Sequence, residues 1–135
     1  MYVFGGGDGK SWLNDLLIFD IETLSWSGPI STLGTAPDGR LQHSAVTYEK
    51  KIYIMGGEPD QYRQLNDLHV LDTTTLEWQQ LEPQGDPPSK RVSTSGVLVG
   101  SKIIYFGGYD GVTWMNDVHM YNVETNSWSQ LKTFG

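Results

Sequence analysis

The sequence predicts an all-β chain built from repeated four-stranded antiparallel units. Three observations carry this. Short motifs recur at a fixed period along the chain. Strand-like runs alternate with turn residues. No stretch sustains helical periodicity over about 11 residues.

The period is read directly. Gly5-Gly6, Gly56-Gly57 and Gly107-Gly108 are successively 51 residues apart. Asn14-Asp15, Asn66-Asp67 and Asn116-Asp117 follow at intervals of 52 and 50, as do Trp26, Trp78 and Trp128. Arg40 and Arg91 are again 51 apart.

The middle unit shows each element in order. Residues 44–48 (Ser-Ala-Val-Thr-Tyr) are β-favouring, and Glu49-Lys50 opens a turn. Residues 52–55 (Ile-Tyr-Ile-Met) form an apolar run suited to a strand buried on both faces, which Gly56-Gly57 is expected to end. Residues 68–71 make the third strand. Asp72 and the threonines after it supply turn chemistry, because their side chains bond nearby backbone. Residues 77–81, around Trp78, make the fourth strand. The outer units copy this plan, but the first starts at its second strand. Eleven strands are therefore expected, in units spanning 1–28, 43–82 and 93–132.

Composition narrows the function classes. Sixteen acidic residues against nine basic give a net charge of -7, which disfavours nucleic acid and anionic membrane surfaces. The absence of cysteine removes disulfides, thiolate metal sites and a cysteine nucleophile. No run approaches the ~18 apolar residues of a membrane span, and the first residues lack a signal-peptide pattern. Cytoplasmic residence is the expectation, with the nucleus as second choice.

Each unit therefore reads as an aromatic-containing apolar run, Gly-Gly, Asn-Asp-Leu/Val, Asp/Asn-x-x-Thr and Trp. This pattern resembles the kelch repeat over essentially the whole chain. The tryptophans precede Ser27, Gln79 and Ser129, never Asp, so the WD40 signature is missing. The resemblance implies four-stranded kelch β-propeller blades. About two and three-quarter repeats are too few to close a ring of, often, six blades, so an incomplete propeller is expected. Further blades of the same or another chain would complete it.

Residues that recur in every unit are expected to build the unit. Gly5, Gly6, Gly56, Gly57, Gly107 and Gly108 allow positive φ. Trp26, Trp78 and Trp128 are expected to pack between blades, and the Asn-Asp pairs to satisfy loop backbone. Arg40 and Arg91 are expected either to brace blades or to face the central channel, and they join the candidate binding residues. The long second-to-third and fourth-to-first connections share one face. The loops there differ between units, and loops on a rigid scaffold are where binding concentrates. Trp12, Tyr62, Arg63, Tyr109, Asp110 and Trp114 on that face are the candidate partner-binding residues, of types enriched at interface hot spots.

The expected function is a protein-interaction scaffold or adaptor, as the resemblance implies for many kelch proteins. The run Gly-Gly-x-Asp-Gly-Lys-x-x-Leu-Asn-Asp-Leu-Leu is similar to kelch proteins of the leucine-zipper-like regulator and Rab-effector kind. The alternatives are a kelch-type enzyme and purely structural blades. Copper oxidases of this architecture need a cysteine crosslinked to tyrosine. Iron-dependent specifier proteins need Glu-x3-Asp-x3-His, and here Glu82 and Asp86 are followed by Lys90, which cannot ligate iron. No residue set supports a sugar epimerase. No catalytic residues, cofactor or metal are expected.

Overall fold

The computed structural model describes residues 1–134, and those residues form strands and turns without a helix. The first blade consists of β1 (Tyr2–Gly7), β2 (Trp12–Asp20) and β3 (Ser25–Ser27). A two-residue strand, β4 (Leu33–Gly34), lies in the connection that follows. The second blade holds β5 (Ser44–Tyr48), β6 (Lys51–Asp60), β7 (Arg63–Asp72) and β8 (Glu77–Leu81). The third holds β9 (Ser95–Val99), β10 (Lys102–Tyr109), β11 (Trp114–Asn122) and β12 (Ser127–Leu131). Within each blade, consecutive strands pair antiparallel in sequence order.

The turns from third to fourth strand follow the sequence chemistry. Asp20 Oδ1 accepts from the Glu22 and Thr23 amides, Asp72 Oδ1 from Thr74 and Thr75, and Asn122 Oδ1 from Glu124 and Thr125. Each turn closes on a left-handed residue: Leu24, Leu76 or Asn126, at φ 53°, 56° and 48°.

The paired glycines act differently from expectation. They do not end the second strand. Pairing shifts register between Met55 and Gly57, and β6 continues to Asp60. The same irregularity falls between Phe4 and Gly6 and between Phe106 and Gly108. At each, the second strand advances two residues where the third advances three, so the extra residue lies at the Asn-Asp pair of the third strand, opposite the glycines. Gly56 and Gly57 carry φ of 65° and 94°. The chain passes so close to its neighbour that a Cβ on Gly57 would lie 2.6 Å from the Leu41 carbonyl oxygen.

The linkers also do more than connect. β4 pairs parallel with β8, the outer strand of the second blade. Gln84 makes the matching parallel bridge to Ser127 in β12. Each linker thus covers the start of the next blade's outer edge before running inward, which shortens the unpaired edge. Two residues carry no readable strand pattern, so this element is absent from the sequence reading.

The core lies between blades. Phe4 and Leu16 of the first blade pack with Ile52, Ile54, Leu71 and Trp78 of the second. Val46, Tyr53, Met55, Leu68 and Val70 on the opposite face of the second blade pack with Ile103, Tyr105, Tyr121 and Trp128 of the third. Trp78 reaches the ring of Phe4, with centroids 4.9 Å apart, and Trp128 packs on Tyr105 and Tyr121. Burying an aromatic of this size removes ~150–250 Å² from water, and truncation to Ala costs roughly 3–5 kcal/mol. Trp26 corrects the expectation of uniform inter-blade burial. It is 56% exposed, because its face of the first blade has no blade against it among the described residues.

Candidate functional site

Three hairpins project from one face of the blades, each joining a second strand to a third. A carboxylate organises each tip. Asp8 Oδ1 accepts from the amides of Lys10 and Ser11 at 2.8 and 2.7 Å. Asp110 Oδ1 accepts from Val112 and Thr113 at 2.8 and 2.7 Å. Asp60 takes the Tyr62 amide on one oxygen and Arg63 Nε on the other, at 2.9 and 2.6 Å. These bonds favour the ionised form and lower all three pKa values. The leading cause is the Lys10 amide for Asp8, the Arg63 side chain for Asp60 and the Thr113 amide for Asp110. Asp110 is thus a turn-former as well as a candidate contact residue.

The middle connection is shorter than the sequence suggests. Asp60 pairs with Arg63, leaving only Gln61 and Tyr62 at the tip. Tyr62 is consequently raised on a strand extension and is 80% exposed. Its hydroxyl accepts from Gln61 Nε2 at 2.6 Å. On the third hairpin Trp114 is 73% exposed and packs its ring on Tyr109, centroids 4.8 Å apart. The Tyr109 hydroxyl donates to the Gly111 carbonyl at 2.8 Å.

Trp12 and Trp114 occupy matching positions but different surroundings. Trp12 is half-buried, and its Nε1 is enclosed without a hydrogen-bond partner among the described residues. The linker holding Gly39 lies directly on the Trp12 backbone. A shallow, open cleft lies between the first and second hairpins and this linker, lined by Lys10, Ser11, Trp12, Asp38, Pro59 and Arg63. The structure therefore gathers Trp12 and Arg63 at one cleft. Tyr62 stands on the hairpin that carries Arg63, while Tyr109, Asp110 and Trp114 belong to the third hairpin.

Arg40 and Arg91 are corrected as candidate contact residues. They are 1% and 2% exposed. Arg40 donates from Nη1 and Nη2 to the two oxygens of Asp67 at 2.8 and 2.9 Å, and from Nη1 to the Gly56 carbonyl at 2.9 Å. Arg91 repeats this with Asp117 and Gly107. Their backbones bond the preceding blade: the Gly6 amide donates to the Arg40 carbonyl, and the Gly57 amide to the Arg91 carbonyl. Each arginine therefore joins two blades, the bracing role among the expectations.

A histidine completes each cluster. His69 Nε2 lies 2.7 Å from Asp67 Oδ2, and His119 Nε2 lies 2.9 Å from Asp117 Oδ2. Burial opposes ionisation of Asp67, yet the His69 and Arg40 bonds outweigh it and hold the carboxyl far below its usual range. The Arg91 bond leads in lowering Asp117 to about 2, opposed by burial and assisted by His119. An Arg–Asp–His cluster repeated in successive blades is a scaffold device, since a single active site would not recur with the period. The common period of Arg and of the Asp in Asn-Asp is the sequence signal for this pairing, which only the fold brings into contact. Asn66 Nδ2 does bond loop backbone, at the Pro88 carbonyl. Among the described residues no group of three or more His, Asp or Glu is arranged to hold a metal ion. Among the described residues no helix is long and apolar enough to cross a membrane.

Antiparallel blades of up to four strands, Asn-Asp bulges facing paired glycines and Trp-filled junctions define a kelch-type propeller architecture. The KLHDC2/KLHL20/DRC7 Kelch-repeats domain matches residues 1–135, and the chain belongs to the kelch-repeat family. It is 35% identical to acyl-CoA-binding domain-containing protein 4 of Arabidopsis thaliana over 130 residues, 96% of this chain and 19% of that protein. It is 32% identical to kelch domain-containing protein 3 of Bos taurus over 143 residues, covering 95% of this chain and 36% of that protein. It is 35% identical to the Rab9 effector protein with kelch motifs of Rattus norvegicus over 121 residues, 87% and 32% respectively. The chain thus spans roughly a third or less of each of these relatives. Kelch repeats commonly serve as protein-interaction modules.

Proposed function

We propose that this chain binds a protein partner through the hairpin face, as a scaffold or adaptor. The observation that carries this reading is the contrast between Tyr62, Arg63 and Trp114 and the buried repeat residues. Tyr62 and Trp114 are large and exposed, Tyr62 in the two-residue turn between β6 and β7 and Trp114 at the start of β11, and they belong to no core cluster. Arg63 keeps 64% of its side-chain surface open while its Nε is fixed by Asp60. Aromatic and arginine anchors with restricted side chains lose little entropy on binding. The open, shallow depression beside Arg63 and Trp12 adds polar surface to the same face. The absence of cysteine and the lysine at position 90 remain arguments against the copper and iron chemistries. A cytoplasmic location accompanies this reading.

The test is joint replacement of Tyr62, Arg63 and Tyr109 by alanine, with affinity capture from cell extract compared against the unaltered chain. Hot-spot anchors are worth at least ~2 kcal/mol each, so capture should weaken by ~30-fold or more. The melting temperature should change little, because none of the three side chains belongs to a core cluster and Tyr109 packs only on the exposed Trp114 and its own hairpin tip. Undiminished capture by the folded variant would remove these residues from the interface.

A further inference from the structure

The two blade junctions differ in the residue that precedes the inner strand. His43 stands before β5 of the second blade, and Thr94, 51 residues on, stands before β9 of the third. The Thr94 hydroxyl donates to the Gly107 carbonyl at 3.4 Å and so stays within its own blade. The imidazole of His43 instead reaches across the first junction. Its ring lies edge-on to Phe4 of the first blade, centroids 5.6 Å apart. A Cβ on Gly5 would lie 3.3 Å from its Cε1. Phe4 in turn packs on Trp78, so His43 borders the core of this junction.

The ring is placed for its uncharged form. Nδ1 is enclosed and has no hydrogen-bond partner among the described residues. Burial first, and the charge of Arg40 second, hold the imidazole below its ordinary value of 6.5, with the Arg40 carbonyl opposing them. Asp67 is not free to act as a counter-charge, because Arg40 and His69 already take its two oxygens. Asp15 on β2, Asp38 on the linker and Glu58 on β6 are the other charged groups on the surrounding elements. None of them forms an ion pair with His43. A proton on Nδ1 would therefore be an enclosed donor without an acceptor, on a cation beside a cation.

We propose that His43 is a proton-operated latch on the first blade junction: uncharged it holds the first blade to the second, and its protonation loosens that junction and not the other. The second junction carries Thr94 in its place and lacks the latch. An unfolded imidazole binds its proton near pH 6.5, and the folded one binds it only at lower pH. The contribution of His43 is therefore intact above about pH 6.5 and is lost as pH falls below it. The latch is separate from the hairpin face and does not depend on what that face binds.

The test is native-state hydrogen exchange, read by mass spectrometry at about pH 7.5 and about pH 5.5 and corrected for the intrinsic pH dependence of exchange. On acidification, protection in β1 and β2 should fall several-fold, with a ceiling of about tenfold set by the unfolded imidazole. Protection in β9, β10 and β11 should change less. In His43→Thr, which carries the residue of the second junction, the extra loss in β1 and β2 should vanish. His69 and His119 remain in both proteins, so their difference isolates position 43. An NMR titration of the unaltered chain gives a readout that needs no variant, and the His43 imidazole should titrate below about 6.5. An imidazole titrating at or above that value, equal loss of protection in all three blades, or the same loss in folded His43→Thr would each overturn the proposal.

Discussion

Arg40 grips the second blade with its guanidinium and the first with its backbone. The Arg40 amide donates to the Leu13 carbonyl at 3.0 Å, while the guanidinium spans Asp67 and the Gly56 carbonyl. A planar fork with several donors suits this task, and a lysine would reach fewer of the acceptors. Replacing Arg40 by Ala would leave Asp67 and the Gly56 carbonyl without this partner in a largely enclosed site. Removing one member of a buried pair costs about 3–5 kcal/mol, and the 22% side-chain exposure of Asp67 points to the lower end. Urea unfolding of Arg40→Ala against the unaltered chain measures that loss. The regular recurrence of Arg40 and Arg91 is plain in the sequence. Their burial is not, because it depends on which loop the linker crosses.

The paired glycines shape the second strands where the Asn-Asp bulge of the third strand faces them. Gly57→Ala should cost more than Gly6→Ala, although both positions have φ near 95°. Both substitutions incur the left-handed penalty of roughly 1–2 kcal/mol. Only at Gly57 would the new methyl also meet the Leu41 carbonyl and His43, whereas nothing lies within 4 Å of a Cβ at Gly6. Thermal melts of the two variants should rank them in that order. The strands themselves were legible from apolar runs and from Asp-x-x-Thr turns, since those signals are local. The passage of β6 through Gly56-Gly57 was not, because a bulge depends on pairing with a distant strand. The hairpin face was legible as a face. The raised position of Tyr62 and the enclosure of Trp12 required the register of β7 and the path of the linker.

At the scale of the molecule, both blade junctions contain an arginine–aspartate clamp, which makes the chain acid-sensitive in a defined window. An unfolded aspartate titrates near 3.8, and Asp117 in the fold titrates at about 2. A depressed folded value means that the stabilisation is complete above about pH 4 and is lost as pH falls toward about 2. Asp67 shifts in the same direction, so both junctions weaken together. Melting temperatures recorded from about pH 5 to about pH 2 should fall steeply for the unaltered chain and less steeply for Asp117→Asn, which has already lost that titrating group. The linker clamp has another consequence, for how such chains change length. A 51-residue cassette from Arg40 to Lys90 contains a blade and the side-chain half of its clamp, and Arg91 begins the next. Tandem duplication of that cassette in a gene would insert a blade together with its own fastening, without redesign of either neighbour.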